Sequence, residues 1–150
     1  MIPMFHTYSA QFMHVVFSTK DRRPLILPEL QTRLMAYVGG IMRKIGIGSV
    51  AIGGTTNHLH IVMKLPPLMP LAEAVQKLKA NSSRWLGEQG VRFEWQKGYG
   101  AFSVSKSNIS AVMKYIANQE AHHRKITFEE EFIALLEKHG IEYDPKYVFG

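Results

Sequence analysis

The segment Asn57-His58-Leu59-His60-Ile61 sets two imidazoles two residues apart, at the head of an apolar run that continues to Leu65. On a β-strand, side chains alternate, so His58 and His60 point to one face and Leu59, Ile61, Met63 and Leu65 to the other. The two histidine Cα atoms then lie roughly 6.6 Å apart along the strand. That spacing lets both rings converge on one divalent cation. A His-x-His pair is nevertheless common, and on spacing alone two ordinary histidines on a partly exposed strand is the simpler reading.

A second group follows Asn108. Ile109, Val112, Met113 and Ile116 recur at helical spacing, while Tyr115 and Gln119, an i,i+4 pair, lie off that stripe. His122 extends their face and Asn108 lies under it. Alone, this is a tyrosine at the rim of a core beside a solvated amide. Beside the histidine strand it acquires a chemistry. A phenol has a pKa of about 10 and is a poor nucleophile at neutral pH. A cation held by two histidines and an amide oxygen can polarise a phosphodiester, stabilise charge on its oxygens and hold it in line with the phenol. Tyr8, Tyr37, Tyr143 and Tyr147 lack a glutamine at i+4 on a helix opposite such a pair. His14 joins the group if it shares the histidine face, which the sequence leaves open. His6 and His123 read as solvated.

The elements that must position these groups are legible in outline. Tyr8 to Thr19 reads as a strand, and Pro28 opens a helix with Leu30, Leu34, Tyr37, Val38, Ile41 and Ile45 in phase, ended by Gly46 and Gly48. Ser49 to Gly54 and Asn57 to Leu65 form a hairpin through Gly53-Gly54-Thr55-Thr56. Pro70 starts a second helix with Leu71, Val75, Leu78, Ser82 and Trp85 on one stripe. A loop from Gly87 leads to a strand at Ala101 to Ser105. The third helix runs from Asn108 to about His123, and Thr127 with Glu130 forms a capping box for a last helix ending near Gly140. The pattern predicts an α+β chain: one domain over residues 1–150, a ferredoxin-like βαββαβ sandwich with an antiparallel sheet and helices on one face. The third helix and a last short one follow. The other sheet face, bearing His58 and His60, is left for a ligand, a partner or an additional helix.

Composition narrows the partners. The chain has 150 residues, 46% of them hydrophobic, and no cysteine, which excludes disulfides and thiolate metal sites. Up to Ile126 there are sixteen Lys and Arg against six Asp and Glu, and from Thr127 two against six. A body so basic favours a polyanion such as nucleic acid. Tyr8 to Phe17 is interrupted by Gln11 and His14 and has no basic region before it, so it does not read as a signal peptide. No apolar run reaches membrane-spanning length. The expectation is a soluble, cytoplasmic protein.

Several blocks in order carry a resemblance. These are His14-Val15-Val16-Phe17-Ser18-Thr19-Lys20-Asp21-Arg22-Arg23-Pro24, Asn57-His58-Leu59-His60-Ile61, Leu78-Lys79-Ala80-Asn81-Ser82-Ser83-Arg84, Trp95 to Val104, and Tyr115-Ile116-Ala117-Asn118-Gln119. Together they resemble the single-tyrosine HUH transposases of small bacterial insertion sequences, including REP-associated tyrosine transposases. The resemblance implies that His58 and His60 bind the metal, that Gln119 completes the site and that Tyr115 is the nucleophile. Asn57 stands where many relatives carry Asp. It further implies Mg²⁺ or Mn²⁺ and single-stranded DNA marked by imperfect hairpins. The reaction would be cleavage and rejoining through a 5′-phosphotyrosine. A homodimer is implied, with the tyrosine helix of one subunit meeting the histidines of the other. A catalytically silent hairpin-binding protein of the same fold and a rolling-circle-type nickase are the alternatives.

Lys20, Arg22, Arg23, Lys77, Lys79 and Arg84 are candidates for phosphate contacts, although charged faces are as often merely solvated. Tyr99, between Gly98 and Gly100, is the candidate for stacking on an unpaired base, whereas Trp95 reads as core.

Overall fold

The computed structural model describes residues 7–150, so the expectation for His6 lies outside the described residues. Four strands, β1 (Gln11–Ser18), β2 (Gly48–Gly54), β3 (His58–Leu65) and β4 (Gly100–Val104), form one sheet in the order β2-β3-β1-β4 with every pair antiparallel. Helices α1 (Pro28–Ile45) and α2 (Leu71–Glu88) join them in the βαββαβ order expected of a ferredoxin-like sandwich. β1 is shorter than its sequence suggests. Its last partner is Leu65, opposite Gln11, and Pro66 beyond has no amide hydrogen for the ladder.

Alternation along β3 divides the molecule. Leu59, Ile61, Met63 and Leu65 pack with Leu34, Val38 and Met42 of α1 and Val75 and Leu78 of α2 into the main core. Each such fully buried aliphatic side chain contributes roughly 1.5–3 kcal/mol. Trp95 also packs there, its indole N–H donating to Ser82 Oγ at 3.0 Å.

The opposite face is covered as well, by helices α3 (Ile109–Ala117), α4 (Gln119–His123) and α5 (Phe128–Lys138). Ile109 and Ile116 of α3 pack on Val62 and Phe12, and Phe128 and Leu136 of α5 on Val16 and Phe102. The sheet is therefore a middle layer between two helical layers. The helix expected to run unbroken from Asn108 to about His123 is interrupted at Asn118, whose φ of −100° and ψ of 21° leave the helical region. Asparagine is a poor interior helix residue because its side chain competes for backbone hydrogen bonds.

α3 can lie on β2 because Gly53 has no side chain. A Cβ there would stand 2.6 Å from both Cγ2 and the carbonyl oxygen of Ile116. Gly53→Ala is expected to lift α3 and carry Tyr115 with it, at a cost of about 1–3 kcal/mol. A thermal melt should show Tm lowered by roughly 3–10 °C.

Candidate active site

β3 delivers His58 and His60 to the buried side of the α3–α5 layer, both with no exposed surface. His14 shares their face. It pairs with Val62 across the ladder and so stands diagonal to His60, its Nε2 2.7 Å from His60 Nδ1. Tyr115 reaches the same place from α3, with its ring 5.7 Å from that of His60. Gln119 reaches it from α4, its Oε1 2.8 Å from His58 Nε2. Tyr115, Gln119, His58 and His60 thus meet within a single chain.

Glu131 of α5 sits between them. Its Oε1 lies 2.9 Å from His60 Nε2, 3.1 Å from His123 Nε2 and 3.5 Å from His58 Nε2. Its Oε2 accepts hydrogen bonds from the Tyr115 hydroxyl and, at 3.0 Å, from Gln119 Nε2. His123, expected to be solvated, is in fact part of the cluster, its Nε2 also 3.0 Å from Gln119 Oε1. His122 Nε2 lies 3.2 Å from Glu131 Oε2 yet is buried without a hydrogen-bond partner.

The hydrogen bonding of this cluster does not balance by itself. Asn57 Nδ2 donates to the Arg22 carbonyl, so Asn57 Oδ1 faces His58 Nδ1 at 2.8 Å and that nitrogen carries the ring proton. His123 Nδ1 likewise faces the Ile126 carbonyl at 2.9 Å. With His58 kept neutral by burial, its Nε2 is then a lone pair that points at Gln119 Oε1, itself an acceptor because its amide nitrogen is committed to Glu131. Lone pair faces lone pair in a buried space, which costs free energy unless a cation lies between them. The residues present fit a divalent metal. Asn57 supplies through its amide oxygen an acceptor that orients the His58 ring from behind.

Residues 7–119 match the family described as "Transposase IS200 like". The transposases of insertion sequence element IS200 from Salmonella typhimurium and Salmonella typhi are each 29% identical over 118 residues, 71% of this chain and 74% of theirs. A putative transposase from Deinococcus radiodurans superposes with a TM-score of 0.63 at 20% identity, over 79% of this chain and 98% of that one. A REP-associated tyrosine transposase bound to a REP hairpin superposes with a TM-score of 0.61 at 15% identity, over 82% of this chain and 74% of that one. The chain belongs to the IS200-like transposase family.

In this IS200-like transposase the family match spans His14, His58, His60, Tyr115 and Gln119 and ends there. His122, His123 and Glu131 lie beyond it. Glu131 escapes a reading of the terminal segment as a short acidic helix. A signal was nonetheless present, because Phe128, Phe132, Leu135 and Leu136 form an apolar stripe and Glu131 is the one charged residue on it.

Burial, and then the neighbouring His60, lower His14 and His58 from 6.5 to about 3. Burial alone would raise the Glu131 carboxyl, but hydrogen bonds from His60, Tyr115 and Gln119 and the charge of His60 outweigh it and hold it below the usual range. Burial, followed by the bond to Glu131, raises the Tyr115 phenol well above its ordinary value. In the unfolded chain His14 and His58 take up protons near pH 6.5, whereas in the folded chain they stay neutral to about pH 3. The unfolded state therefore binds more protons across that window, and stability falls as pH drops. The slope is up to about 1.4 kcal/mol per pH unit for each histidine. Denaturant melts of the metal-free chain from pH 7.5 to 4 should show a steady loss beginning near 6.5.

The basic candidates are already engaged. Lys20 pairs with Glu94 at 3.4 Å, Arg23 with Asp21 at 3.7 Å, Lys77 with Glu73 at 3.3 Å and Arg84 with Glu88 at 4.0 Å. Such exposed pairs are worth little, and a phosphate can displace them. Arg22 is held more firmly, donating to the Phe149 carbonyl at 2.9 Å. Lys79 donates to the Gln96 and Gly98 carbonyls at 2.7 and 2.9 Å. Lys77, Lys79 and Arg84 all lie on α2, across the sheet from Tyr115. Tyr99 is 39% exposed beside that helix.

Proposed function

We propose that this transposase cleaves and rejoins single-stranded DNA at hairpin-marked ends through a 5′-phosphotyrosine on Tyr115, in a reaction that depends on a divalent metal. The observation that carries the reading is the convergence, within one chain, of the Tyr115 hydroxyl and an acceptor-rich cluster of His58, His60 and Gln119. Mg²⁺ or Mn²⁺ held by those three residues would polarise the scissile phosphodiester and offset charge on its oxygens.

The chain's own residues do the rest. A groove lined by His14, Phe102, Ser103, Asn108, Tyr115 and His139 gives the phenol an approach from solvent. The Tyr115 oxygen attacks phosphorus, an O–P bond forms and the bond from phosphorus to the 3′ oxygen breaks. The phenol loses one proton and the departing 3′ hydroxyl gains one. Attack by another strand's 3′ hydroxyl on the phosphotyrosine reverses the step and joins the DNA. No nucleotide is consumed, because the covalent link conserves the bond.

Because nucleophile and histidines meet in one chain, cleavage is proposed to occur in cis. A homodimer would then serve to hold two DNA ends rather than to complete either site. One fold neighbour is described as bound to a REP hairpin, which supports a hairpin substrate here. Among the described residues, no helix is long and apolar enough to cross a membrane, and the proposed substrate places the protein with the cytoplasmic DNA.

The test incubates the chain with single-stranded hairpin DNA taken from the flanks of its gene, with Mn²⁺, Mg²⁺ or chelator. A covalent protein–DNA band on a denaturing gel, present with metal and absent with chelator, is expected. Hairpin binding without any such band would favour a silent binder.

A further inference from the structure

Two carboxylate oxygens of one residue face two different parts of the site. Glu131 Oε1 lies 2.9, 3.1 and 3.5 Å from Nε2 of His60, His123 and His58. Its Oε2 accepts the Tyr115 hydroxyl. Glu131 itself is 2% exposed, and it comes from α5, outside the segment matched to the family.

The distances have the scale of a coordination shell. Nitrogen and oxygen ligands about 2.0–2.2 Å from an ion, at tetrahedral or octahedral angles, are separated by about 2.8–3.6 Å. The contacts of Glu131 Oε1 with the three imidazoles fall in that interval, as do those of Gln119 Oε1 with His58 and His123 at 2.8 and 3.0 Å. One ring nitrogen from each of His58, His60 and His123 and one Glu131 oxygen all lie within 4.8 Å of one another. A fully buried carboxylate also needs a counter-charge.

We propose that Glu131 is a bridging residue: it ligates the divalent ion through Oε1, beside His58, His60 and His123, and holds the Tyr115 hydroxyl through Oε2. The C-terminal helix thereby fixes the distance between ion and nucleophile. This deepens the reading proposed above and rests on it. His123 becomes a ligand by the same geometry, with its ring locked by the Ile126 carbonyl.

The test titrates the full, DNA-free chain with Mn²⁺ by calorimetry and with Co²⁺ by visible absorption, in wild type, Glu131→Gln, Tyr115→Phe and His58→Ala. Thermal melts in chelator confirm that each variant is folded. If Glu131→Gln fails to fold, Glu131→Asp replaces it. Glu131→Gln is expected to weaken Mn²⁺ binding by at least about tenfold and to change the Co²⁺ spectrum, while Tyr115→Phe changes affinity less than about threefold. At saturating Mn²⁺, Glu131→Gln should still form adduct more slowly than wild type, because the phenol is no longer held.

Equal or tighter Mn²⁺ binding by Glu131→Gln, with equal or faster adduct formation, would overturn the proposal and make Glu131 a plug standing in the ion's place. Unweakened binding by His58→Ala would remove the metal centre and the proposal together. Loss of Mn²⁺ affinity in Glu131→Gln beside a wild type that forms no adduct would leave the ligation standing and refute only the assignment of Tyr115.

Discussion

Tyr115→Phe is expected to abolish the covalent adduct while leaving hairpin binding within about twofold of wild type. The change deletes one oxygen. The ring keeps its neighbours His14, His60 and His122, at centroid distances of 6.3, 5.7 and 5.3 Å. Glu131 loses one donor but retains Gln119 Nε2. The structural cost is that of a hydrogen bond to a charged group, about 1.5–3 kcal/mol, and a melt will reveal it. The chemical cost is of another order. Removing a covalent nucleophile lowers turnover by at least about 10⁴-fold even where binding and positioning survive. The measurement is single-turnover cleavage of a labelled hairpin strand alongside a binding titration. Cleavage at near wild-type rate would show that another group attacks.

His60→Ala is the second large effect. His60 has no exposed surface and stands at the centre of the cluster, with Nδ1 on His14 and Nε2 on Glu131. Truncation removes a donor from the site and frees His14 and Glu131 to move. Metal-dependent cleavage is expected to fall by at least about 10²-fold, in line with the loss of a metal-binding or orienting group. Hairpin affinity measured in chelator should change less than about threefold, because the site is buried and the exposed basic residues are untouched. His58→Ala should behave alike. A matching fall in hairpin affinity in chelator would show instead that these histidines support the DNA-binding surface.

Much of this architecture was legible in the sequence, for identifiable reasons. The hairpin of β2 and β3 followed from its glycines and the alternation of Leu59, Ile61 and Met63 against His58 and His60. Tyr115 and Gln119 could be paired because i,i+4 spacing survives the break at Asn118, and both reach Glu131. His14 could not be placed, because its face depends on the β1–β3 register, which only the folded sheet sets. His123 stands four residues after Gln119, the spacing that links Gln119 to Tyr115, yet it reads as solvated because nothing local marks what α5 brings over it. Glu131 was hidden by its neighbours. Glu129 and Glu130 make the segment look like a solvated acidic face, and only the phase of Phe128, Phe132 and Leu135 shows that Glu131 turns inward. The covering of the histidine face is likewise a tertiary event, decided by where α3 and α5 dock.

Peptide mapping by mass spectrometry bears most directly on the central claim. The wild-type chain is trapped with a hairpin strand and Mn²⁺, digested with protease and nuclease, and searched for a residual nucleotide. A 5′-phosphorylated nucleotide on the peptide containing Tyr115, absent when chelator replaces Mn²⁺, is the predicted result. A nucleotide on any other residue, or the same adduct formed equally well in chelator, would contradict a metal-assisted attack by Tyr115.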